Sequence, residues 1–477
     1  MQRNTLRTLF VVGVLAVVTI AAMAYSRSGV SPLSTNDPNL TSSGRSGIVQ
    51  IAAQLAQNKL LVGGDGTVSL SLTMTADETT VQGQREERNV DMVIVLDRSG
   101  SMDGEKIRDA KLAIMELLRN MGEGDRFALV TYSDYVSTHF SLTECTESNK
   151  ELLATAVNMV TPGGNTNLGA GLQEGMRVLA SGRRNGNMGK VVLISDGLAN
   201  EGVTDTYSLS EMASAAVRGE FAVSTVGVGL DFNEVLMSAI ADRGTGNYYF
   251  METPMEFARV FLQEFHLTRD VAAASVEVRA TLGQGVELVD AAGLPVEHVG
   301  GDAVFYPGDL LSGRSRTLHL TFRVDAGQEG SHDLGGLSVR YTYGGETYTV
   351  TLDEPLTVAC VLDQSEALAS IDPAVWEEKV IQEDYNRLRE DVGQSVSAGD
   401  YEGAMGLIEA YETEQSELNA HVSSPVVTDN LENDLDDLRS NVEEAFTGSD
   451  EEQEYRQDVY SRELQNEGYA ERRAKAY

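Results

Sequence analysis

The apolar positions of this chain fall into blocks with different spacing. Between residues 90 and 269, short runs that are apolar almost throughout alternate with longer stretches whose apolar residues recur at three and four. Val90–Leu96, Phe127–Ser133, Gly189–Ser195 and Phe221–Val228 are of the first kind. They are too apolar to leave one face in water, so they read as strands buried on both faces. Asp103–Met121 is of the second kind, with Ile107, Ala110, Ile114, Leu117, Leu118 and Met121 on one side of a helix. Asn149–Val160, Leu168–Ala180, Leu209–Arg218, Asn233–Asp242 and Met255–Leu267 read as further helices, Val136–Phe140 as an edge strand and Asn247–Phe250 as a terminal strand. Strands alternating with helices predict an α/β fold: a doubly wound, mostly parallel sheet with helices on both faces.

The flanking blocks differ. Residues 269–362 lose the helical period and show short alternating runs, among them Ser275–Leu282, Arg316–Val324 and Ser338–Tyr343, broken by Gly, Asp and Pro. They predict an all-β sandwich domain. Residues 47–89 precede the α/β block. In them Gly47–Lys59 reads as a short helix, and Val68–Met74 alternates as a half-buried strand that joins the later β domain. If so, the α/β domain is inserted into the β domain. Residues 363–477 form an acidic helical region, with Pro373 and Pro425 at helix starts. Its last helix, crowded with Glu, Arg and Gln, reads as a solvated tail.

Composition changes the picture in three places. The formal net charge of −37 over 477 residues argues against nucleic acid or an anionic membrane surface as a partner. The N-terminus carries Arg3 and Arg7 and then an apolar run from Leu9 to Tyr25, closed by Ala22-Met23-Ala24. Residues 1–25 therefore read as a signal peptide or a single membrane anchor, and residues 26–46, rich in Ser, Gly, Asn, Thr and Pro, as a linker. Either way the rest of the chain is expected to be exported, periplasmic or extracellular, or anchored facing outward. Only two cysteines are present, Cys145 and Cys360. They lie in different blocks and have no metal-type spacing, so one disulfide and two buried thiols both remain open.

The chemistry gathers where the opening strand ends. Asp97-Arg98-Ser99-Gly100-Ser101 sets three oxygen side chains at alternate positions before a helix. Taken alone, this is equally a turn with a helix cap. A Gly-Gly-Asn-Thr-Asn loop then holds Thr166 just before a later helix, and another buried strand ends in Ser195-Asp196-Gly197. A parallel sheet brings the carboxyl ends of neighbouring strands to one edge, which is where open α/β sheets hold ligands. Asp97, Ser99, Ser101, Thr166 and Asp196 can thus meet at one point, and hard oxygen donors suit a hard divalent cation.

With these five residues, and with Asp196-Gly197-Leu198-Ala199-Asn200-Glu201-Gly202 and Gly227–Glu234 alongside, residues 90–268 resemble a von Willebrand factor type A domain carrying a metal-ion-dependent adhesion site. The regions that follow are similar to those of exported bacterial members. The resemblance implies that the Ser99 and Ser101 hydroxyls ligate Mg²⁺ (or Ca²⁺ or Mn²⁺) directly. Thr166 would ligate it in a ligand-ready arrangement, and Asp97 and Asp196 would act mainly through ordered water. It implies a protein partner that offers an Asp or Glu to the ion.

Catalysis is not indicated. The six histidines are scattered, there is no phosphate-binding loop, and neither Ser99 nor Ser195 has a His partner in a suitable context. The expectation is a non-enzymatic, exported, metal-dependent protein-binding module. The alternative is a scaffold or assembly factor of a cell-envelope complex, in which the ion only stabilises a loop. The sequence leaves the partner and the oligomeric state open.

Overall fold

The computed structural model describes residues 40–474, apart from 82–83, 86–87, 185 and 252–255. The N-terminal segment read as a signal peptide or anchor lies outside the described residues. Among those described, no helix is long and apolar enough to cross a membrane.

Six strands form the central sheet. In spatial order they are Thr245–Met251, Phe221–Val228, Met188–Ser195, Val90–Asp97, Arg126–Tyr132 and Val136–Glu144. The first five are mutually parallel, and the last pairs antiparallel at the edge. The uniform apolarity of Val90–Leu96 has a direct cause. Met92, Ile94 and Leu96 pack into one core with the helices Glu105–Asn120, Glu147–Met159 and Phe257–Arg269. Val93 and Val95 pack into the opposite core with the helices Leu168–Gly182, Thr206–Ala213 and Glu234–Arg243. Both faces are covered, so a polar residue there needs a buried partner, as Asp91 has in Arg126 and Asn187. Numbered along the chain, the strands lie in the order 3-2-1-4-5-6. The winding direction therefore reverses between the first strand, ending at Asp97, and the fourth, ending at Ser195. A crevice outside the carboxyl ends at such a reversal is where a doubly wound sheet receives ligands.

The β region is built from strands on both sides of the α/β block. Thr67–Ala76 pairs antiparallel with Ser315–Val324 inside a five-stranded sheet. A second sheet centres on Val271–Leu282 and Gly335–Tyr343. One apolar core holds side chains of both.

Two expectations fail here. Thr41–Ser46, the end of the supposed linker, is a strand paired with Val49–Leu55. Its small residues serve close approach rather than flexibility. A Cβ on Gly44 would stand 1.9 Å from the Thr351 carbonyl oxygen, and the Ser42 hydroxyl donates to the Glu354 carbonyl at 2.7 Å. Val49–Leu55 is in turn a strand, not part of a helix over 47–59. Val49, Ile51, Ala53 and Leu55 are buried at a period of two, while Gln50 faces outward.

The helical region corrects a third expectation. Asp372 and Ser424 cap helices that begin at Pro373 and Pro425. The last helix, Asp450–Arg472, is no solvated tail. Its residues Leu464 and Tyr469 are buried. Two glycines let it press against Tyr385–Ser397: a Cβ on Gly393 would meet the Ser461 carbonyl at 2.9 Å, and one on Gly468 the Asn386 carbonyl at 2.7 Å. The same helix reaches the α/β unit, where Asn466 Oδ1 accepts from the Phe250 amide at 3.1 Å and Arg462 bonds the Leu230 carbonyl. Its Arg462 and Arg472 are paired rather than hydrated, a distinction that composition does not carry. Cys145 and Cys360 are separate buried thiols.

Candidate metal centre

Asp97 is the last residue of the opening strand, and Asp196 directly follows the strand Met188–Ser195. These two strands flank the reversal of winding, and both carboxylates are fully buried. After Asp97 the chain makes a single turn of 3₁₀ helix, Gly100–Met102, before the helix Glu105–Asn120. That turn folds the side chains of residues 97, 99 and 101 back towards one another. Ser99 N–H donates to Asp97 Oδ1 at 2.8 Å. The Ser99 and Ser101 hydroxyls are 3.0 Å apart, and Ser101 Oγ donates to Asp196 Oδ1 at 2.7 Å.

Thr166 arrives from a third loop. Gly163 N–H bonds the Arg98 carbonyl at 2.8 Å, and Gly100 N–H bonds the Gly164 carbonyl at 3.0 Å. The loop is therefore stitched to the Asp97–Ser101 turn. Both glycines have positive φ, which lets the chain make this approach. Asn167 then caps the helix Leu168–Gly182. A point where Gly197 would carry a Cβ lies 3.5 Å from Ser101 Oγ and 3.9 Å from Thr166 Oγ1. The bare glycine leaves that point open. All five residues singled out in the sequence therefore line one small space, and of the five only Ser101 is solvent-exposed.

Four neighbours complete the surroundings. Ser195 Oγ donates to Asp97 Oδ2 at 2.9 Å. The Tyr132 hydroxyl is buried behind the strand ends and donates to the Ile194 carbonyl at 2.7 Å. Asn200 Oδ1 accepts from the Thr166 amide at 2.9 Å, while its own N–H bonds the Thr166 carbonyl at 3.2 Å, fixing that residue from both sides. Lys106 Nζ donates to Asp196 Oδ2 at 2.6 Å. Sequence reasoning gave no role to Lys106, although a signal existed. It sits in the first turn of a helix, where the positive end of the dipole disfavours a cation unless something holds it.

Burial pushes the Asp97 carboxyl up to about 6, against the lowering effect of its Ser99 and Ser195 hydrogen bonds, with the nearby Asp196 charge adding to the rise. Among the described residues, no group of three or more acidic, histidine or cysteine side chains is arranged to hold a metal ion. Besides the Lys106 ammonium, the space holds two carboxylates and neutral hydroxyls. Such a donor set is hard and oxygen-only, and fits Mg²⁺, Ca²⁺ or Mn²⁺ better than a soft metal.

A parallel sheet wound in this order, with an oxygen-lined cradle at its reversal, defines a class of α/β domain. Residues 91–263 match the von Willebrand factor type A domain family, and the chain carries a domain of that family. Such domains are typically protein-interaction modules and are mostly non-enzymatic. An uncharacterized protein of Synechocystis sp. is 24% identical over 330 residues, covering 67% of this chain and 77% of that protein. The uncharacterized protein YfbK of Escherichia coli is 30% identical over 254 residues, covering 51% of this chain and 43% of YfbK. The matched stretch is thus less than half of YfbK. A solved von Willebrand factor type A protein from Catenulispora acidiphila superposes with a TM-score of 0.65 at 17% identity, over 91% of this chain and 98% of that one. Its likeness of fold therefore reaches beyond the α/β domain into the flanking regions.

Proposed function

We propose that this chain is a metal-dependent protein-binding module whose centre is the Asp97–Ser99–Ser101–Thr166–Asp196 cradle. One observation carries the reading: two buried carboxylates at the reversal of the sheet share their space with hydroxyls and a single ammonium, which reaches only Asp196. Two acids so close, in a medium that solvates them poorly, call for a cation. Ser99, Ser101 and Thr166 would hold a Mg²⁺-type ion directly, while Asp97 and Asp196 would hold its ordered water. When bound, the ion supplies an electrophilic position for one carboxylate oxygen of a partner's Asp or Glu. Neutral hydroxyls leave more of the ion's charge available to that carboxylate than a ring of acids would.

The surroundings suit a protein ligand. Tyr135, Leu198 and Val203 are exposed on the loops around the cradle, and Tyr207 is exposed at the start of the helix Thr206–Ala213. Hydrogen bonds bind those loops together: Asn165 N–H donates to Asp134, and Asn165 Nδ2 to Glu201. Exposed apolar groups at one edge favour a docking partner. The N-terminal pattern of Arg3, Arg7 and the following apolar run supports action outside the cytoplasm. Capture of partners by the exported portion, in Mg²⁺ and in EDTA, tests the proposal. Mg²⁺-dependent capture, lost in Asp97→Ala with an unchanged fold by circular dichroism, is the expected result. Equal capture in EDTA would refute it.

A further inference from the structure

Lys106 is the one cation that touches the cradle among the described residues, and we infer that it is a tethered stand-in for the metal, holding Asp196 in the ion-free protein and setting how tightly a divalent ion binds. The inference rests on the metal-centre reading above and goes beyond it. Asp196 is fully buried, and both of its oxygens are taken. Ser101 Oγ donates to Oδ1, and Lys106 Nζ donates to Oδ2 at 2.6 Å. The ammonium therefore neutralises one of the two neighbouring carboxylates and keeps the cradle from repelling itself open.

An incoming dication has to share Asp196 with that ammonium or displace it. In the first case two cations stand a few ångströms apart in a weakly screened site. In the second, a buried hydrogen-bonded ion pair is broken. Both effects lower metal affinity. Room to yield exists on one side. Gly229, with φ +74, has no side chain, and a Cβ there would stand 3.6 Å from Lys106 Nζ. The lysine also lies in the first turn of its helix, where the backbone dipole opposes its charge and eases its release.

The test is Mn²⁺ titration of the full chain, read by loss of the free-ion electron paramagnetic resonance signal, for wild type, Lys106→Met and Lys106→Arg. Melting curves in EDTA and in saturating Mn²⁺ accompany it. Lys106→Met, which keeps the length and loses the charge, is expected to bind Mn²⁺ at least about tenfold tighter than wild type. It should melt lower than wild type in EDTA and recover in Mn²⁺. Lys106→Arg, which keeps a cation, should stay close to wild type. Affinity unchanged or weaker in Lys106→Met, with wild type still binding, overturns the role of Lys106 and leaves the metal centre standing. No Mn²⁺ uptake by wild type or by either variant overturns the metal centre itself. Should Lys106→Met fail to fold, Lys106→Gln carries the same comparison.

Discussion

Two of the buried clusters of charge among the described residues are built on opposite principles. One lies where the last helix meets the α/β unit, the β region and the neighbouring helix. There Arg473 donates to both oxygens of Asp242 at 3.1 Å, to Glu390 at 2.9 Å and to the Gly293 carbonyl at 3.0 Å. Arg472 bonds Asp290 at 3.0 Å and Glu383 at 2.8 Å, and Tyr469 donates to Asp242 at 2.9 Å. Cations and anions alternate, with Arg472, Arg473, Asp242 and Glu383 almost wholly buried. The other cluster is the cradle, where two carboxylates share one ammonium and several hydroxyls. The first arrangement is closed and holds three regions together. The second keeps one carboxylate, Asp97, without a cationic partner among the described residues and has one solvent-exposed donor, Ser101, as a site needs if a cation is to enter. Burial of charge is common to both. Pairing separates the structural cluster from the functional one: each acid of the first is bonded to an arginine, whereas Asp97 of the cradle meets the Ser99 amide and the Ser195 hydroxyl instead.

Removing one partner from each cluster should therefore have opposite consequences. Arg473→Ala leaves Asp242 and Glu390 buried without their main cation, and about 3–5 kcal/mol of stability should be lost, read from the urea midpoint of the full chain. Asp97→Asn keeps the shape of the cradle and removes an ill-solvated charge. In EDTA at pH 8 it should raise stability by up to about 3 kcal/mol, since burial pushes the Asp97 carboxyl up to about 6, above its ordinary value. The sign follows from the direction of that shift. The folded protein holds the Asp97 proton more tightly than the unfolded chain does, so the cost of the carboxylate is fully present above pH 6. It fades as pH falls towards 4, and the advantage of Asp97→Asn should fade with it. Loss of stability in Asp97→Asn at pH 8 would erase the contrast between the clusters. A smaller effect tests how the closed cluster is held in place. Gly468→Ala drives a methyl against the Asn386 carbonyl and should cost about 1–3 kcal/mol despite the better helix propensity of alanine.

Much of the open cluster was legible in the sequence, and little of the closed one. The strand Val90–Asp97 announces itself because helices cover both its faces, which makes Met92–Leu96 apolar without a break. The alternation of such runs with helical periods also yields the doubly wound sheet, and with it the meeting of residues 97–101, 166 and 196 at one edge. The ion network at Arg472 and Arg473 is invisible for a physical reason: a paired arginine and a hydrated one are the same letter. The strand Thr41–Ser46 is hidden by the Gly and Ser that its close packing requires. Val49–Leu55 shows a period of two that a helical reading of 47–59 passes over. Lys106 was overlooked because a lysine in a helix is ordinary, and only its place in the first turn is not.

The account stands on the cradle taking up a divalent ion. Isothermal titration of the full chain with Mg²⁺ at pH 7.5 measures this directly, with Asp97→Ala and Thr166→Ala alongside. One Mg²⁺ per chain in the wild type, abolished in Asp97→Ala and weakened in Thr166→Ala while all three keep the same circular dichroism, is the predicted result. Absence of uptake by the wild type, or the same uptake by Asp97→Ala, would contradict it.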